Sequence, residues 1–166
     1  MYLKRLMGGD KTVFTVKELG KAFEIEDDDY LRVLISRMRK RGQLKRLYRG
    51  IYTYKEEYNS WELANKLKTP SYVSLESVLA KEGIMGQDYG EVVFSVSDNT
   101  VSKKVGDKEF DYAKIKDEVL SNPWGIKLGE VVARASKERA ICDRLYLTSG
   151  YHFDDLERVD KKELLR

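Results

Sequence analysis

Nine basic residues and no acidic one lie between positions 31 and 55: Arg32, Arg37, Arg39, Lys40, Arg41, Lys45, Arg46, Arg49 and Lys55. Side chains of this type neutralise phosphate oxygens, and arginine also reads base edges with paired donors. Elsewhere the chain offers less chemistry. The acidic trio Asp27, Asp28 and Asp29 has no histidine and no second carboxylate cluster nearby to complete a metal shell. Cys142, the single cysteine, sits in an apolar helical pattern; a buried thiol is expected there, and no disulfide framework or Cys-cluster zinc site can form. His152, the single histidine, falls in a polar loop without a matched nucleophile. Glu138, Arg139, Asp143 and Arg144 crowd one later stretch. Arg139 and Asp143 stand four residues apart, the spacing of a helical ion pair worth roughly 0.3 kcal/mol at a surface. Phosphate-loop, dinucleotide, zinc-protease and nucleophile-elbow motifs are missing from the sequence, so no enzyme activity, cofactor or metal is expected.

The basic run needs a scaffold, and the spacing of apolar residues supplies one. Leu31, Leu34, Ile35 and Met38 recur at the helical period and form one stripe. The opposite face holds Arg32, Val33, Ser36 and Lys40, with Arg37 on its flank. The acidic trio stands where an N-cap and first turn belong, and Gly42 suits the residue that ends the helix. Residues 43–48 then alternate polar and apolar, Arg49-Gly50 makes a turn, and residues 51–54 are β-branched and aromatic, which predicts a hairpin. Upstream, residues 2–7 suit a short helix closed by Gly8-Gly9. Thr15 with Glu18 forms a capping box for a second helix carrying Val16, Leu19, Ala22 and Phe23, in which Gly20 permits close packing. Helix, helix, helix, hairpin is the order of a winged helix-turn-helix. Phosphate contacts are expected from Arg39, Arg41, Lys45, Arg46 and Arg49, and base-edge contacts from Arg32, Ser36, Arg37 and Lys40.

Charge divides the chain in two. Residues 1–58 carry 14 Lys/Arg against 9 Asp/Glu, while residues 59–166 carry 17 against 19. A DNA-binding domain over 1–58, followed by a domain of different purpose over 59–166, is the organisation this suggests. With 42% hydrophobic and 36% charged residues the chain is globular rather than disordered. No apolar run reaches the roughly 20 residues of a membrane span, and the first residues lack the core of a secretory signal, so a cytoplasmic protein is expected. The second part reads as helix from Ser60, its expected cap, then a helix within residues 71–83 capped by Ser74. Strands follow over 91–97, 101–105, 109–115 and within 126–135. A helix capped by Ser136 closes it, with Ala140, Ile141 and Leu145 on the buried side. The fold class is therefore α+β: a winged helix-turn-helix followed by a small α+β domain with a mostly antiparallel sheet.

Three passages carry a family resemblance. The stretch TVKELGKAFEIEDDDYLRVLISRMRKRGQLKRLYRGIYTY is similar to the winged-helix module of AbiEi-like antitoxins of type IV toxin–antitoxin systems. PSYVSLESVLAKEGI resembles the segment that opens that family's second domain, and ASKERAICDRLYL resembles a later helix of it. The matching positions are Ser74, Leu75, Glu76, Ser77, Glu138, Arg139 and Asp143, as fold signatures or as parts of the antitoxin function. The resemblance implies an autorepressor that binds double-stranded operator DNA as a monomer or dimer. It also implies a genetic partner, a nucleotidyltransferase-like toxin countered without a stable complex. Two alternatives stand beside it: a winged-helix regulator without antitoxin activity, and a protein-interaction module whose basic face docks an acidic partner.

Overall fold

A computed structural model describes residues 1–165 and divides the chain into two compact units, Met1–Leu67 and Lys68 onward. The first unit runs α1 (Tyr2–Met7), β1 (Val13–Thr15), α2 (Val16–Phe23), α3 (Asp28–Lys40), β2 (Lys45–Tyr48), β3 (Ile51–Thr53) and α4 (Ser60–Leu67). Its sheet is antiparallel with strand order β1-β3-β2.

Local sequence accounts for most of these boundaries. The Thr15 hydroxyl accepts the Glu18 N–H at 3.2 Å, and the Glu18 carboxylate accepts the Thr15 N–H at 2.8 Å, so the capping box opens α2 as expected. The Asp27 carboxylate accepts the Tyr30 N–H at 2.8 Å and opens α3. Gly42 ends it at φ +69°, a conformation that costs other residues a steric penalty. Leu6, Phe14, Leu19, Phe23, Leu31, Ile35, Met38 and Leu44 form the core under α1, α2 and α3. A Cβ on Gly20 would stand 3.1 Å from Leu31 Cδ2 and 3.2 Å from the Ile25 carbonyl, so α2 and α3 cross where only hydrogen fits easily. The three-residue β1 was not expected, because three residues are too few to show an alternating pattern.

The division between units falls after Leu67 rather than after residue 58. A fully buried carboxylate explains why α4 belongs to the first unit. Glu62 accepts both the backbone N–H and the hydroxyl of Thr12, at 2.9 and 2.8 Å, and Thr53 donates its hydroxyl to the Thr12 carbonyl. Lys66 adds bonds of 2.7 Å to Glu18. The cap of α4 is Asn59, whose side chain accepts the Trp61 N–H at 3.0 Å; Ser60 is already helical.

The second unit contains β4 (Ser71–Val73), α5 (Leu75–Lys81), β5 (Val92–Ser97), β6 (Val101–Val105), β7 (Lys108–Lys114), α6 (Asp117–Leu120), β8 (Ile126–Leu128), β9 (Ala133–Ala135) and α7 (Lys137–Leu147). Its six-stranded sheet has the order β6-β7-β5-β4-β9-β8. Three of its five pairings are antiparallel; β5 with β7 and β4 with β9 are parallel. Val73, Val78, Leu79, Val96, Phe110, Tyr112, Ile115, Ala140 and Ile141 fill the core. Here sequence periodicity was a poorer guide. On α7 the expected inward Leu145 is 41% exposed, while Arg139 and Asp143 are buried. Cys142 is half-buried rather than enclosed.

Candidate nucleic-acid interface

The burial of Leu31, Ile35 and Met38 turns the other side of α3 outward. Arg32, Ser36, Arg37, Arg39, Lys40 and Arg41 are all exposed. Arg37 and Arg41 lie to one side, bordering a crevice of about 180 Å³ with Tyr2 and Leu3 of α1. The first turn of α3 is acidic and the last is basic, so both ends suit the helix dipole.

The hairpin carries further exposed cations. Tyr48 pairs with Ile51 across the two-residue turn Arg49-Gly50, where Gly50 has φ +75°. The register shifts between Arg46 and Tyr48, which makes Leu47 the extra residue of a bulge and increases the local twist. Ile51 and Thr53 anchor the inner strand in the core, while Lys45, Arg46 and Arg49 stay exposed. The Arg46 Nε–H donates to the Tyr48 carbonyl at 3.4 Å, and Lys55 stands 5.6 Å over the Tyr54 ring. Among the described residues, the nine cations make one ion pair, Arg32 with Asp29 at 3.8 Å, both strongly exposed. Such a pair neutralises little. The sequence-predicted contact residues are thus all exposed to solvent, on α3, just after it and on the wing. Exposed donors fixed on a rigid helix and hairpin are what binding to a regular polyanion requires.

The signature residues of the second unit meet a different fate. Asp143 is 1% exposed and accepts from Ser74 Oγ at 2.7 Å, Tyr72 Oη at 3.0 Å and Arg139 Nε at 3.0 Å. Arg139 spends its remaining donors on the carbonyls of Val119, Asn122 and Trp124. Burial opposes the Arg139 charge, but the Asp143 carboxylate outweighs it and raises the guanidinium pKa. Ser74 therefore does not cap α5 with its hydroxyl, and Ser77 accepts the Phe94 N–H at 2.8 Å. Glu76, on the same helix, pairs with Arg144 at 3.1 Å and accepts from Tyr151. Between these two ties Leu75 is buried at φ +54°, a strained conformation for a leucine. Glu138 accepts the Asp160 N–H at 3.4 Å.

Every one of these polar residues has a partner in the fold, and the geometry reads as a buried staple. Tyr72, which joins Asp143 to Arg139, carried no signal in the sequence: 71 positions separate it from Asp143. Burial pushes the Cys142 thiol pKa up, which disfavours the nucleophilic thiolate. His152 is exposed. Among the described residues no three His, Cys, Asp or Glu side chains gather to hold a metal, and no helix is long and apolar enough to cross a membrane.

Residues 3–55, from α1 to the end of the wing, match the model of a family described as "Transcriptional regulator, AbiEi antitoxin". The chain is AbiEi-like over that N-terminal third. No curated protein matches the chain by sequence.

Proposed function

We propose that the protein is a repressor that binds duplex DNA beside its own promoter through α3 and the β2–β3 wing. The observation that carries this reading is the exposed cationic surface over residues 31–55, without one internal carboxylate, on a helix and hairpin arranged as a winged helix. Arg39, Arg41, Lys45, Arg46 and Arg49 contact phosphates; Arg32, Ser36, Arg37 and Lys40 contact base edges. The protein works in the cytoplasm. It also serves as the antitoxin of a type IV pair, opposing a nucleotidyltransferase-like toxin without a stable complex, a role supported by the family match over residues 3–55.

Fluorescence anisotropy with the DNA upstream of the gene, against scrambled duplex at several salt concentrations, tests the first part. Selective binding with affinity falling steeply as salt rises is expected, since each neutralised phosphate releases counterions. Equal affinity for both duplexes would refute self-repression. Because the family match ends at Lys55, a regulator without antitoxin activity is the second reading. Co-expression with the neighbouring gene separates the two: rescue of growth is the antitoxin outcome.

A further inference from the structure

We infer that Val33 reads the C5 methyl group of a thymine, which makes it a specificity-determining residue of the interface; this rests on the DNA-binding reading above. Leu31, Ile35 and Met38 mark the buried line of α3. At about 100° per residue, the line directly opposite passes through Asp29, Val33, Ser36 and Lys40. That line penetrates deepest when a helix lies in a major groove. Val33 is 47% exposed at its centre, between polar neighbours and flanked by Arg32 and Arg37.

Isolated valines are common on protein surfaces. This one stands where base edges must be met, and its chemistry limits what it can meet. A helical valine has one dominant χ1 rotamer, so its methyl groups are held in place before binding. It neither donates nor accepts, and a polar base edge pressed against it loses water without gaining a partner. Thymine alone presents an apolar group in the major groove.

The neighbours on the same line set a register. Lys40 lies seven residues further on, roughly 10 Å along the axis at about 1.5 Å per residue. That is about three base steps at roughly 3.4 Å each. Lys40 donates to guanine acceptors, so the thymine read by Val33 falls about three base pairs from a guanine read by Lys40. Asp29, about 6 Å the other way, repels phosphate and suits only a base-edge donor such as cytosine N4. The acidic first turn thus stays clear of the backbone, and the wing supplies the phosphate grip at the other end.

The test starts from duplexes selected from a random pool by the full chain. Each thymine of the selected site is then replaced by uracil, which removes only the methyl group. At one thymine, uracil should weaken wild-type binding by about three- to tenfold. The same uracil should cost a Val33→Ser variant nothing, and Val33→Ser is an exposed change that leaves the fold intact. Selective binding in which uracil is neutral everywhere, or in which the penalty persists in Val33→Ser, overturns the inference and leaves the DNA-binding reading standing. Failure of the pool to yield any preferred sequence overturns both.

Discussion

Helices α3 and α7 use the same residue types in opposite ways. On α3, four arginines and lysines from Arg32 to Lys40 face water and make one loose ion pair. On α7, Arg139 and Asp143 stand at the same spacing as a surface pair yet are 3% and 1% exposed, with every Arg139 nitrogen bonded. The first arrangement leaves donors free for an external polyanion. The second consumes them internally, tying β4, α6 and α7 to one another. A charged cluster is therefore a candidate binding surface only when its donors remain uncommitted, and sequence spacing does not report that.

The largest test of this contrast is Asp143→Ala, which leaves Arg139 buried beside no carboxylate. A loss of roughly 3–5 kcal/mol is expected, against about 0.5 kcal/mol or less for Arg39→Ala on α3. Trp124 lies in the second unit and Trp61 in the first, so urea unfolding reads Asp143→Ala in a Trp61→Phe background and Arg39→Ala in a Trp124→Phe background. Similar losses from both substitutions would erase the distinction between staple and surface.

A half-buried network in the first unit gives the next effect. Burial opposes ionisation of Glu18, but bonds from Lys11, Lys66 and the Thr15 N–H prevail and bring its pKa down to about 2. Its folded pKa is below its unfolded value near 4.5, so the stabilisation is complete above that value and is lost as pH falls toward 2. Discounted for solvent screening of this part-exposed group, wild type should lead Glu18→Gln by roughly 1–2 kcal/mol at neutral pH, with the gap closing through that window. A gap independent of pH would mean that packing rather than charge makes the difference.

On the surface side, Arg37→Ala should cost about 1–3 kcal/mol on a selected site and less on scrambled DNA. Arg46→Ala should weaken both alike and reduce the salt slope by about one. Identical losses for the two variants would remove the division between base and phosphate contacts. The smallest effect is Thr15→Ala, about 1 kcal/mol of stability from the lost α2 cap with DNA contacts untouched, read by thermal unfolding.

What the sequence determined by itself is what short-range physics determines. The Thr15–Glu18 box, the Asp27 cap, the stripe Leu31–Ile35–Met38 and the Arg49-Gly50 turn all act within a few residues, and together they made the winged helix and its cationic face legible. Strands β1 and β4 and helix α6, of three or four residues each, are too short to impose a period and form only because neighbours hold them. The tertiary structure alone decided that Glu62 reaches back 50 positions to Thr12 and keeps α4 in the first unit. It alone decided that Asp143 turns inward to Tyr72 and Ser74 while Leu145 turns out. Periodicity assigns charges to water by default. A buried charge survives only where distant donors satisfy it, and those donors become visible when the chain has folded.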